Sequence, residues 1–267
     1  MKTEEQLITP ELAKEYLTRN TRNRKLRKNV VEQYAREMRH GKWLLTHQGI
    51  AFNCDGTLLD GQHRLEAVIL SGASVWMNVS RGVASESQIA MDDHAKRTAA
   101  NAIGLVKNIA LSDKQIGVIR AAVELSSSAE RSKGRKTKQE LGDLVEIFET
   151  PLNFLNECFP VAERGVTSAP VQSAIALAWF YVSDMERLRF FCDVLSGRVL
   201  AENNGDKAAV TLREWLLKTG MKHNATRIEG FKKSQRAIVG FLERKELGKL
   251  YGTSTYYPWP LVEPIRQ

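Results

Sequence analysis

Cysteine is scarce. The 267 residues hold three, Cys54, Cys158 and Cys192, far apart and without Cys-x-x-Cys spacing. That excludes a disulfide framework and a structural zinc site, and leaves thiols of the core or the surface. Long apolar runs are missing too, since none approaches the ~18 residues that mark a membrane-spanning helix. The opening MKTEEQLITP lacks the charged-then-apolar pattern of a secretory leader. The expectation is a soluble, cytoplasmic protein with no membrane partner. Acid is absent from one place in particular: residues 19–28 carry six basic side chains and no carboxylate.

Hydrophobic residues make up 43% of the chain, enough to bury a core and to exclude wholesale disorder. The net charge of +8 and the pI near 9.4 favour anionic partners. A second basic stretch, 222–249, has eight Lys or Arg against three Glu. It contains a helical pattern over 225–245 with Ile228, Phe231, Ile238, Phe241 and Leu242 as its apolar positions. Lys232, Lys233 and Arg236 lie elsewhere on that wheel. They either dock on a phosphate backbone without reading bases or form a solvated face.

The apolar stripe Val30, Val31, Tyr34, Ala35 and Met38 predicts a helix that ends at Gly41. Two short strands follow at 49–52 and 57–59, joined by Asn53-Cys54-Asp55-Gly56, where Asp-Gly suits a hairpin turn. Leu65, Val68 and Ile69 mark the next helix, with Gly72 placed as its C′ residue. SVWMNVSRG is a third strand. Ser85 and Gln88 form a capping box, and another helix begins near Thr98. Ser112 and Gln115 make a further box. Residues 126–138, polar and basic, read as an exposed linker. Beyond them every pattern is helical: 137–148, 151–158 (Thr150 as N-cap and Pro151 at N1), 170–183, 184–196, 206–218 and 225–245. Trp179, Phe180 and Tyr181 read as packing rather than a base-stacking platform. The aromatic, proline-rich tail reads as extended. The class is α+β, with an N-terminal domain over 1–110 and an all-helical domain over 111–267.

GTLLDGQHRLEAV holds the polar knot. A strand delivers the chain into Asp60-Gly61-Gln62, and a helix starts near His63. Helix N-termini present unpaired N–H groups and a partial positive charge. Gly61 would let a ligand approach the backbone. Arg64 offers a guanidinium fork and His63 a proton carrier with a pKa near working pH. Asp60 could cap the helix, hold Arg64, or ligate a Mg²⁺ that accompanies phosphate. Cations are unfavourable at a helix N-terminus by roughly 0.3–1 kcal/mol each, so an anion or carboxylate is expected to compensate. A second knot, MDDHAKRTAANA, offers Arg97 and Thr98 as phosphate contacts. Its Asp92, Asp93 and His94 are successive on one backbone and make a poor metal site.

LLDGQHRLEAVILSG resembles the Gly-Gln/Glu-His/Arg-Arg-x-x-Ala box of the ParB/sulfiredoxin superfamily. NRKLRKNVVEQYAREMRHGKW is similar to that superfamily's opening region and first helix, and Gln48-Gly49-Ile50 sits where such domains carry Gln-Pro-Ile. The resemblance spans residues 19–104, and the DGQHR variant looks most like the ParB-like proteins of phages and plasmids. It implies a small mixed sheet in the N-terminal domain. It also implies phosphate binding by Gly61, Gln62, His63 and Arg64, with Arg24 reaching the same pocket. Gln62 stands where sulfiredoxins place their catalytic cysteine, which excludes reductase chemistry.

The resulting expectation is a ParB-like, nucleotide-binding, DNA-associated protein of a mobile element. A nucleoside triphosphate with Mg²⁺ would sit at the box, and Lys232, Lys233 and Arg236 would contact DNA. The helical domain would bind DNA or a second copy of the chain as a homodimer. His63 and Asp60 are the candidate catalytic residues for NTP hydrolysis. A phosphodiesterase or nuclease using the same pocket, and a non-catalytic DNA-binding regulator, are the alternatives.

Overall fold

Lys2–Ile8 forms strand β1, and Thr9 turns the chain into helix α1, Pro10–Leu17. The Thr9 hydroxyl accepts from Leu12 N at 3.2 Å, and Pro10 fills a first-turn position whose missing N–H costs nothing. The computed structural model describes residues 1–21, 23, 25–84, 98–126, 136–201, 203–219, 221, 223–247, 249–252 and 256–259. The described elements continue with α2 (Lys28–Arg39), β2 (Ile50–Asn53), β3 (Leu58–Asp60), α3 (Gln62–Ser71) and β4 (Val75–Val83). They go on with α4 (Ala99–Lys107), α5 (Asp113–Ser126), α6 (Lys138–Cys158), α7 (Ala169–Trp179), α8 (Met185–Ser196), α9 (Lys207–Thr219) and α10 (Asn224–Leu242). None of these helices is long and apolar enough to cross a membrane.

The chain is α+β. Its sheet has four strands in the order β1-β4-β2-β3. β1 pairs with β4 and β2 with β3 antiparallel, while β2 and β4 run parallel, so the sheet is mixed. The β2–β3 turn is built by Asn53, whose Oδ1 accepts from Asp55 N and Thr57 N at 3.0 and 2.7 Å. Gly56 supplies the positive φ. A parallel pair needs a crossover, and here the crossover contains α3. Helices α1 and α2 both pack on α3. Ile8, Tyr16, Met38, Ile50, Phe52, Leu65, Val68 and Val79 form the core of this unit. β1 lies outside the expected pattern. Its exposure runs almost unbroken from Lys2 to Glu5, so it carries no period-2 signal.

Contacts divide the chain into two compact units, 1–97 with 134–137, and 98–133 with 138–267. The expected boundary at 110 therefore moves to 97/98, because α4 packs against α5 and α6. In the helical unit α7 is buried all round, from Pro170 to Ala178, and α5, α6 and α10 cover it. The Ser112–Gln115 box forms in both directions, at 2.8 and 3.2 Å. One expectation fails. The helices 137–148 and 151–158 are a single helix, α6, with Pro151 inside it. Leu141, Val145, Phe148, Leu152 and Leu155 continue one buried stripe across the proline, and their burial outweighs the ~3 kcal/mol that an interior proline costs. Trp179 and Phe180 pack as expected, with Phe180 edge-on to Phe148 at 5.4 Å. The expected helix over 85–92 lies outside the described residues.

Candidate functional site

β3 ends at Asp60, and Gly61 turns the chain into α3 as a left-handed N-cap with φ +107°. The helix begins at Gln62, one residue before the expected start. The missing Cβ of Gly61 is needed for packing: an added one would lie 3.1–3.2 Å from Ile50 of β2. That space is filled by the protein, so the absence of a side chain at Gly61 serves its packing against β2. The Gly61 N–H donates to Asp60 Oδ1 at 2.6 Å.

Arg64 does not stand free. Its Nη1 donates to the Gly49 carbonyl at 2.8 Å and to Asp60 Oδ2 at 3.4 Å, and its Nη2 to Gln48 Oε1 at 3.3 Å. Gly49 itself is dictated by β4, since a Cβ there would sit 1.8 Å from the Asn78 carbonyl oxygen. Arg64 therefore staples the start of β2 to the first turn of α3.

His63 is 8% exposed, and its Nε2 accepts from Arg27 N at 3.0 Å. That bond requires the ring to be unprotonated at Nε2, so acid–base work at this nitrogen would first cost the bond. The expected proton carrier is, at rest, a pin between α3 and the N-cap of α2. Gln62, 5% exposed, accepts from Asn20 Nδ2 at 3.2 Å. Asn23 reaches Asn20 Oδ1 and the Leu58 carbonyl, at 2.7 and 2.8 Å. Leu58 N in turn donates to the Arg19 carbonyl. Arg19, Asn20, Asn23 and Arg27 are thereby laced to β3 and α3. Asn20 and Asn23 are framework residues that sequence reasoning missed, and only the spacing of amides in NTRNRK hints at them, whereas Gln48, singled out by the resemblance, is a partner of Arg64.

The electrostatics of this junction are unusual. Arg27 is the N-cap of α2, with no side-chain cap bond, and neither α2 nor α3 has an acid in its first turn. Lys25, Arg27 and Lys28 are exposed, and among the described residues no carboxylate pairs with them. Two positive helix ends joined by the His63–Arg27 bond thus carry cations in place of first-turn carboxylates, with Asp60 just ahead of α3.

Asp60 is the junction's acid, and both its oxygens serve Gly61 and Arg64. Among the described residues no three His, Cys, Asp or Glu side chains converge as a metal site. Asp60 beside a guanidinium does not fit a resident Mg²⁺. Thr98 belongs to the helical unit, and its hydroxyl accepts from Asn101 N as the N-cap of α4. Arg24 and Arg97, with Asp92, Asp93 and His94, lie outside the described residues.

The expected DNA contacts on α10 are occupied with packing. Lys233 Nζ lies 4.2 Å over the Trp215 ring and 2.8 Å from Glu229 Oε1. Arg236 stacks over Tyr256 at 5.7 Å, and Lys232 lies against Gly252. All three are partly buried beside the C-terminal segment, and a cleft of about 440 Å³ opens there between Trp215, Lys233 and Tyr251. No protein-family model, curated protein or solved structure significantly matches this chain.

Proposed function

We propose that the chain is a ParB-like, DNA-associated protein that binds a nucleotide through its N-terminal unit, at the junction of α2 and α3. The observation that carries this reading is the pairing of two helix N-termini that hold Arg27, Lys28 and Arg64 and no acid in their first turns. Each cation there costs roughly 0.3–1 kcal/mol, and a bound phosphate would turn that cost into attraction. Asp60 offsets Arg64 alone, which leaves the Lys25, Arg27 and Lys28 group for the ligand. Mg²⁺ would arrive on the triphosphate, held by phosphate oxygens and water, because Asp60 is committed elsewhere. The occupied Nε2 of His63 favours binding over turnover. DNA association is supported by the net charge of +8.

Calorimetric titration of the full chain with ATP, CTP and GTP, each with Mg²⁺, tests the reading. One nucleotide should bind, and changing Lys25, Arg27 and Lys28 to alanine should abolish that binding while the melting temperature of the free protein holds or rises. Absence of nucleotide binding at low salt overturns it.

A further inference from the structure

We propose that the outer edge of β1 and the tryptophan-lined cleft beside it dock an extended basic segment of a partner protein, which adds a strand to the sheet and lays a lysine or arginine side chain in the cleft. β1 ends the sheet on one side. It is bonded to β4, and among the described residues no backbone hydrogen bond reaches its other edge. The N–H and C=O groups on that edge are a template for another extended chain.

The register decides which side chains meet there. Leu7 stands opposite Trp76 and Glu5 opposite Asn78, so these four share one face of the ribbon, while Ile8, Met77 and Val79 turn to the core. A cleft of about 520 Å³ opens between Glu5, Trp76, Val75, Met38, Trp43 and Leu45. Trp43 is held edge-on to Tyr34 at 5.5 Å. Trp76 is 55% exposed, and Leu7 and Leu45 are exposed with it. An indole left this open in a strand offers a partner apolar surface to cover.

Charge selects the partner. Glu5 is the only charged side chain lining the cleft among the described residues. Its neighbour Glu4 has Lys2 Nζ at 3.6 Å and Arg81 Nε at 3.8 Å, whereas no described cation pairs with Glu5. Two indoles and a free carboxylate suit an ammonium or guanidinium. Indole faces attract a cation and pack against its aliphatic stem, and the carboxylate takes its charge. On an added strand, the residue opposite Glu5 points to the same face, so a lysine or arginine there meets Glu5 at the cleft. The net charge of +8 repels a basic chain from most of the protein, so one that binds does so at a local acid. The site shares no residue with the α2–α3 junction, and its test needs no nucleotide.

The test is fluorescence anisotropy of a fluorescein-labelled peptide of alternating threonine and lysine, titrated with the full chain. We expect saturable binding. A twin with glutamate for lysine should not bind, and neither should a twin N-methylated on every amide, which cannot pair with a strand edge. Glu5→Gln and Trp76→Ala should each weaken binding about five- to tenfold, the order of a cross-strand charge pair and a cation–π contact. Both side chains are exposed, so thermal melts should show both variants folded. Glu32→Gln removes an exposed carboxylate of the same unit that does not line the cleft, and should leave binding unchanged. Failure of the lysine peptide to bind, equal binding of either twin, or Glu5→Gln binding as tightly as Glu32→Gln overturns the proposal.

Discussion

Arg64 reaches from the first turn of α3 to the Gly49 carbonyl with only 14% of its side chain exposed. A charged hydrogen bond of this kind contributes about 1.5–3 kcal/mol. Arg64→Ala should therefore lower the stability of the free protein by that order, measured as a shift in urea midpoint. Arg64→Lys should recover only part, because an ammonium cannot reproduce the fork to Gly49 and Gln48. Gly61→Ala should cost about 1–3 kcal/mol from its left-handed backbone, plus whatever Ile50 must yield. The sequence displays Asp60, Gly61, His63 and Arg64 side by side, and it shows that a helix begins there. It does not display their partners. Arg64 binds a backbone carbonyl and His63 a backbone N–H, groups that every residue possesses and no sequence distinguishes. Residue types that suit phosphate chemistry thus turn out, at rest, to hold the junction together.

Among elements, α2, α3 and α8 were legible because their stripes and ends agree. Asp184 caps α8, accepting from Arg187 N at 2.9 Å, and Gly197 ends it with a positive φ. β1 was illegible because its hydrophobic side chains sit at one end only, and its pairing with β4 is a property of two segments. α6 was misread as two helices because proline speaks locally and packing does not. Replacing Pro151 by alanine should restore a helical hydrogen bond, worth up to ~3 kcal/mol with relief of the ring clash. It also removes about two buried methylenes, at ~0.8 kcal/mol each. The net expectation is a gain of about 1 kcal/mol, read as a higher denaturant midpoint. The C-terminal segment hangs on one amide. Gln235, fully buried, donates to the Tyr257 carbonyl at 2.8 Å and accepts from Tyr256 N and Tyr257 N. Gln235→Leu would leave those backbone groups without a partner and should release the segment, seen as a red shift in the fluorescence of Trp259, which now packs against Phe148. Burial also pushes the Tyr257 hydroxyl up to about 12. The neutral phenol is thus favoured in the fold, so its contribution is complete below pH ~10, the ordinary value for tyrosine. It is lost as pH climbs through about 12.

At the scale of the molecule, the charge of +8 would make the proposed association with DNA a matter of counterions. If Lys25, Arg27 and Lys28 meet DNA phosphate in place of a nucleotide, the triple alanine variant should flatten the slope of log affinity against log salt by up to about 3 × 0.9. Fluorescence anisotropy with a labelled duplex over a salt series reads this directly, and an unchanged slope would move the contact off α2. The two units also differ in how far apart in the chain their partners lie. Helix packs on nearby helix through much of the second unit, whereas β1 has its register partner some seventy residues away, Ile8 opposite Val75 and Lys2 opposite Arg81. During synthesis, at ~5–20 residues per second, β1 and α1 therefore emerge seconds before the strand they need. A waiting strand is a hazard for self-association, and β1 carries Lys2, Glu4 and Glu5 along its length. Laid antiparallel on a second copy about its centre, it would set Glu5 against Glu5. The polarity that hid this strand from its own sequence pattern would also set like charges against each other whenever two nascent chains met before β4 arrives.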